Sequence, residues 1–240
     1  DALRRSSNVY MFHIAMRLGE ATYNYGDKLI GYNPSKFQVM RNYFSQFGLG
    51  VETGIDFPSE GTGFKGPLLS AGLMMDFGIG QYDTFTTLQL AQYVSTIAND
   101  GYRVRPRLVG EIRQPVPNSK AIGPVIESFE TEVLNRVSMD DSYIDRVQEG
   151  FRQVMQVTGQ GGGTAANYFS DAPYNPAGKT GTAENSVNGV DTENMTLVGY
   201  APYDDPEVAF AVVVPNTGII NGKTINYDIS RRILDTYFEL

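Results

Sequence analysis

The sequence contains no cysteine, which excludes a disulfide framework and a thiolate metal site. Its single histidine, His13, excludes a histidine-rich metal site and any mechanism that needs two imidazoles. No run approaches the ~18 apolar residues of a membrane span. No signal-peptide pattern is present, and Asp1 already lies inside what reads as structure. The expectation is therefore a piece of a longer protein whose address lies upstream. Basic residues are also scarce. Nineteen Lys and Arg against 27 Asp and Glu give a net charge of −8, which argues against a nucleic-acid partner because phosphate binding needs a basic face. What is present is 240 residues with 41% hydrophobic content, enough for one large domain or two small ones around a substantial core. Twenty-six glycines and twelve prolines are spread along the chain and point to many turns rather than to a disordered tract.

The most informative stretch is Pro176-Ala177-Gly178-Lys179-Thr180-Gly181-Thr182-Ala183-Glu184, a lysine and two hydroxyls on a track of small residues. Small residues let another backbone or a ligand approach closely. A lysine and threonine hydroxyls there suit a carboxylate or a phosphate. A phosphate-binding loop needs Gly, four residues, then Gly-Lys-Ser/Thr, after a strand and opening a helix. Position 173 is proline instead of the first glycine, Pro173 and Pro176 remove backbone donors, and the stretch runs on into a polar loop and strands. Gly222-Lys223-Thr224 fails as well, since Gly218 is one residue too close. Gly48-Leu49-Gly50-Val51-Glu52-Thr53-Gly54 resembles a dinucleotide fingerprint only loosely, with its third glycine one place late and a helix before it. The remaining reading is one wall of an acyl-transfer site.

The pattern along the chain is mixed. Ser6-Ser7-Asn8 precedes an apolar segment ending at Gly19 and reads as the N-cap of a short helix, with His13 as a core or boundary histidine. A second helix follows Pro34-Ser35, with Phe37, Met40, Phe44 and Phe47 at helical spacing and Gly48 ending it. Residues 55–80 read as loop-rich. Thr86 and Gln89 form a capping-box pattern before the stripe Leu90, Val94, Ile97 and Ala98, with Gly101 as the stop. Arg103, Arg105 and Arg107 read as a solvated face of an edge strand or extended connection. A Pro-rich loop spans 114–124, and Ser142 opens a helix with the stripe Ile144, Val147, Phe151, Val154 and Met155. Residues 158–164 read as a flexible connector before a short helix over 165–169. Residues 195–202 and 207–214 read as an antiparallel hairpin about a turn at 203–206, with 176–184 as a third strand and a closing helix over 229–238. The polar stretch 185–194 is either a mobile loop or a plain hairpin-like connection. The expected fold is α/β of the α+β type, with a mainly antiparallel sheet flanked by helices.

The acyl-transfer reading asks for a Lys-Thr-Gly track and a Ser-x-Asn elsewhere, and Lys179-Thr180-Gly181 and Ser6-Ser7-Asn8 supply both. With these motifs, the chain resembles the transpeptidase domain of class B penicillin-binding proteins. Phe47-Gly48-Leu49-Gly50 with Thr53-Gly54-Ile55-Asp56, Gly78-Ile79-Gly80-Gln81 leading into Leu88-Gln89-Leu90-Ala91, Ile97 to Gly101, Gly178 to Glu184 and Gly199-Tyr200-Ala201-Pro202 extend the likeness in family order. The resemblance implies a β-lactamase/transpeptidase-like fold and a serine D,D-transpeptidase that crosslinks peptidoglycan stem peptides through an acyl-enzyme and is acylated by β-lactams. It implies no metal or organic cofactor, an upstream membrane anchor with the domain outside the bacterial cytoplasmic membrane, and divisome or elongation-complex partners. It assigns Ser6 and Lys179 to a proton relay, Asn8 to the substrate's amide side chain, and Thr180, Gly181 and Thr182 to the wall that holds the substrate carboxylate. The backbone N–H of Thr182 would join the oxyanion hole. A β-lactamase and a penicillin-sensing receptor domain of the same fold are the alternatives.

The sequence departs from the family at one point. The nucleophile belongs to Ser-x-x-Lys, and no serine here has lysine three positions later. In the family that motif precedes Ser-x-Asn, so the expectation is truncation, with 1–240 as the C-terminal part of one transpeptidase domain. Alone it is expected to be inactive, since losing a nucleophile costs on the order of 10⁶ in kcat in a comparable serine system.

Overall fold

Side-chain caps fix four of the helix starts. Ser7 accepts from the Tyr10 N–H at 3.3 Å and opens α1 (Asn8–Leu18). The helix α2 (Ser35–Gln46) follows Pro34 and buries Phe37 and Met40, as their spacing predicts. Thr86 and Gln89 form a reciprocal capping box at the head of α4 (Thr87–Ala98), the pattern read in the sequence. The structure is a computed structural model describing residues 1–26, 28–67, 69–117, 121–218 and 224–240. Gly222 and Lys223, and residues 118–120 of the Pro-rich loop, lie outside the described residues.

A short helix, α3 (Ala71–Gly78), interrupts the stretch that reads as loop. Ser70 caps it by accepting from the Leu73 N–H at 3.3 Å, and Met74 and Phe77 anchor it. Two glycines within eight residues hide its periodicity. Two small antiparallel ribbons follow: β1 (Tyr102–Val104) pairs with β4 (Val133–Arg136), and β2 (Glu111–Arg113) pairs with β3 (Val125–Ser128). At three or four residues each, these strands are too short to show an alternation.

The principal sheet comes late in the chain. After α5 (Asp141–Gln156) and α6 (Ala166–Phe169) run β5 (Ala177–Val187), β6 (Val190–Ala201) and β7 (Val208–Gly218), antiparallel in that spatial order, and α7 (Ile225–Tyr237) closes the chain. The sheet's two faces read directly from the period of two. Leu197, Ala201, Phe210 and Val212 pack with Phe169 and Leu234 on one side, while Ala177, Val198 and Tyr200 pack with Val94, Ile97 and Phe151 on the other. A third cluster joins Phe37, Met40, Met74 and Phe77 beneath α1. The architecture is α+β with antiparallel pairing, as expected.

Several local expectations are corrected. The segment 185–194 is the hairpin-like connection rather than a loop: β5 and β6 stay paired to Val187 and Val190 and reverse at Asn188-Gly189, both in the left-handed region (φ 52° and 77°). Polar residues on a ribbon wet on both faces carry no apolar alternation. Arg103 is buried instead of solvated, donating to Gln92 Oε1 at 2.9 Å and to the Glu52 carbonyl at 2.6 Å. Arg105 and Arg107 pair with Glu132. His13 is exposed, because α1 turns only Ala15 fully inward. Asp140, not Ser142, caps α5.

Candidate active site

The strand β5 lies at one side of its sheet, so alternate residues turn their N–H and C=O groups away from β6. Gly178 can sit between layers only because it lacks a Cβ, which would fall 2.3 Å from the Val198 carbonyl and 2.5 Å from Met155 Cε. This fixes the next residue, Lys179, on the face that carries Val198, its cross-strand partner.

Lys179 is partly buried there, and its ammonium donates to two acceptors. One is the Thr180 carbonyl at 2.8 Å, and the other is Ser6 Oγ, 173 residues away in sequence. Burial lowers the lysine to about 8 from its ordinary value near 10.5, because desolvation disfavours the charged form. Ser6 is held in a left-handed conformation, φ 48°, at the end of a turn in which its N–H donates to the Leu3 carbonyl at 3.1 Å. Leu3 in turn lies on the core around Phe151, against Gly150 of α5. The Ser6–Lys179 pair is thus seated by hydrophobic packing on both partners.

Asn8, the first residue of α1, is exposed two residues beyond Ser6. Gly181 and Thr182 are exposed further along β5. Thr180 faces the opposite side of the sheet from Lys179, where its Oγ1 lies 2.9 Å from Thr164 Oγ1. The sequence reading did not include Thr164. The glycine track before Thr164 was the available signal: a Cβ on Gly163 would fall 2.2 Å from the Val154 carbonyl, so the connector is fitted tightly to the end of α5. Among the described residues, no group of three His, Cys, Asp or Glu could hold a metal, and no helix is long and apolar enough to cross a membrane.

A serine hydroxyl bonded to a desolvated lysine on an outer strand can exchange a proton with it. Comparisons with known proteins give the family. The family model for the penicillin binding protein transpeptidase domain matches residues 1–235. The chain is 50% identical to penicillin-binding protein 2A of Bacillus subtilis, covering all of this chain and 34% of that protein. It is 40% identical to penicillin-binding protein 2B of Streptococcus pneumoniae, over 99% of this chain and 35% of that protein. The solved structure of penicillin-binding protein 2B from S. pneumoniae strain R6 superposes with a TM-score of 0.88 at 38% identity, covering 99% of this chain and 38% of that one. The chain belongs to the penicillin-binding protein transpeptidase family, and its relatives are class B members. It spans about a third of the length of the curated relatives it matches.

Proposed function

We propose that these residues form the Ser-x-Asn and Lys-Thr-Gly walls of a serine D,D-transpeptidase domain, as the C-terminal part of that domain in a longer protein. The observation that carries the proposal is the hydrogen bond from Lys179 Nζ to Ser6 Oγ, which joins the two motifs across the fold. A serine of a Ser-x-x-Lys elsewhere in the protein attacks the carbonyl of a peptidoglycan stem peptide or a β-lactam, its hydroxyl proton passing to the lysine of that motif. As the carbonyl C–N bond breaks, Ser6 gives its proton to the departing nitrogen and takes one from the Lys179 ammonium. The Thr182 N–H contributes to the oxyanion hole, a type of donor worth about 10²–10³ in kcat. Thr180 and Thr182 hold the substrate carboxylate, and Asn8 meets the substrate's amide side chain. By itself the 240-residue chain forms no stable penicilloyl adduct. An anchoring helix elsewhere in the protein holds the domain outside the cytoplasmic membrane, where divisome or elongation-complex proteins are its partners.

The test uses the full-length protein and a labelled penicillin. Ser6→Ala is expected to lower the second-order acylation rate by about 10²-fold, the lower end of what a positioned proton-transfer group supplies. An unchanged rate removes Ser6 from the mechanism.

A further inference from the structure

The helix α5 touches the surroundings of both Ser6 and Lys179. Toward Lys179, Met155 fills the space beside Gly178, where a Cβ would fall 2.5 Å from its Cε. Gln156 Nε2 donates to the Pro176 carbonyl at 2.9 Å, just before β5 begins. Toward Ser6, the contact is at Gly150, the only glycine in α5. A Cβ there would fall 2.6 Å from Leu3 Cδ1, 3.2 Å from Leu3 Cβ and 3.4 Å from Leu3 Cγ. Gly150 and Met155 stand about 7.5 Å apart along the helix axis. One rigid element therefore carries both seats.

Glycine is a poor choice for a helix interior, second only to proline, because it has the most backbone freedom to lose. What it supplies here is room. The Leu3 side chain packs on the cluster around Phe151 and Val198, so it has little space to swing away. The Leu3 carbonyl accepts the Ser6 N–H at 3.1 Å, and the Ala2 carbonyl accepts the Ser7 N–H at 3.0 Å. A displacement of Leu3 is thus passed on to Ser6. A methyl group on Gly150 would meet Leu3 at two depths. Turning the isopropyl group relieves the overlap with Cδ1, but the contact at Cβ moves only if the turn itself rises by a few tenths of an ångström.

We infer that Gly150 is a positioning residue for the proton-transfer step: the methyl it lacks lets the turn of residues 3–6 settle on α5 at the height that brings Ser6 Oγ to the Lys179 ammonium. This rests on the Ser6–Lys179 reading above and adds Gly150 and Leu3 to it. Both act through Ser6, which gives them an effect that a merely structural role does not have. Disturbing either one slows acylation only while Ser6 is there to be displaced.

The experiment measures the second-order rate of acylation by a labelled penicillin, per folded full-length protein, with and without Ser6→Ala. Gly150→Ala is expected to react about tenfold more slowly, since misplacing a group by about 1 Å costs about 10²-fold and the shift here is smaller. In the Ser6→Ala background the same replacement is expected to change the rate by less than about twofold. Leu3→Ala removes the Cδ1 and Cγ contacts, so adding it to Gly150→Ala is expected to restore the rate to within about threefold of wild type. Leu3→Ala alone adds no atom and cannot clash. By loosening the turn it is expected to slow acylation about threefold, again only where Ser6 is present. A Gly150→Ala protein that reacts at the wild-type rate, that slows both backgrounds equally, or that Leu3→Ala fails to rescue overturns the inference. If Gly150→Ala does not fold, Leu3→Ala decides alone, and an unchanged rate overturns the inference. Each of these results leaves the Ser6–Lys179 relay standing. Ser6→Ala that by itself reacts at the wild-type rate removes the relay and this inference with it.

Discussion

Replacing Lys179 with methionine lowers the acylation rate of the full-length protein by a factor of about 10²–10⁴, the range for loss of a positioned acid or base. Methionine keeps an unbranched apolar stem, so the packing between β5 and the residues around Ser6 survives while the proton source goes. The wild-type rate carries its own signature. The lysine titrates near pH 8, and the proposed step uses its ammonium, so acylation falls as pH rises through about 8. That falling limb disappears in Ser6→Ala, which has no hydroxyl to relay the proton. A rate that instead rises through pH 8 and depends on Lys179 reverses the direction of transfer.

The same substitution has an opposite effect on stability. Burial holds the folded-state lysine at about 8, while the unfolded chain binds its proton up to about 10.5. Below pH 8 both states are charged and the native state bears the full desolvation penalty. Between pH 8 and 10.5 the unfolded state binds more protons, so wild-type stability rises with pH across that window. Lys179→Met is therefore expected to stabilise the fold at pH 7 by about 1–3 kcal/mol, the loss of two hydrogen bonds offsetting part of the relief. The gain shrinks to nothing by about pH 10.5. Thermal unfolding at pH 7 and pH 10.5 measures the difference, and a methionine variant less stable than wild type at pH 7 contradicts it.

Asp83→Ala carries the largest expected loss of stability, about 3–5 kcal/mol, because it leaves a charge buried without its partner. The Asp83 carboxylate accepts from Arg41 Nε and Nη2, each at 2.8 Å, and from the Gly66 N–H at 2.9 Å. Its side chain is 2% exposed and that of Arg41 16%, so water reaches neither freely. The guanidinium also lies 5.6 Å from the centre of the Phe77 ring and 6.0 Å from that of Phe37. These rings belong to the cluster beneath α1, the helix that begins at Asn8. Loss of Asp83 thus loosens the support of the Ser-x-Asn segment as well as the fold. Denaturant unfolding of Asp83→Ala and Asp83→Asn tests this. The asparagine variant retains an acceptor for Gly66 and is expected to lose less. A loss below about 1 kcal/mol for alanine places the pair among surface contacts.

The features legible in the sequence are those written in local chemistry. Thr86 and Gln89 announced a capping box, Phe37 and Met40 a buried stripe, and the apolar β-branched runs 195–202 and 207–214 a hairpin. Lys179 and Ser6 were paired only through family resemblance, since nothing local connects residues 173 positions apart. Arg103 was misread because a charged side chain among alternating arginines resembles a wet surface. Its burial depends on Gln92 and the Glu52 carbonyl, which only the fold brings near. Thr164 was missed for the same reason: a hydroxyl's partner on a distant segment leaves no mark on its own neighbours. The β5–β6 turn was legible in principle, as Asn188-Gly189 is a strong hairpin signal, but the polar residues around it concealed the strands.

The central claim is that Ser6 and Lys179 act as one proton-transfer unit. A double-mutant cycle on the full-length protein addresses it directly, using the second-order rate of acylation by a labelled penicillin for wild type, Ser6→Ala, Lys179→Met and the double variant. Groups that act in series are non-additive. The double variant is expected to be no slower than the slower single variant, within about a factor of three. A double variant slowed by the product of the two single effects would mean that Ser6 and Lys179 act independently, and would contradict the relay.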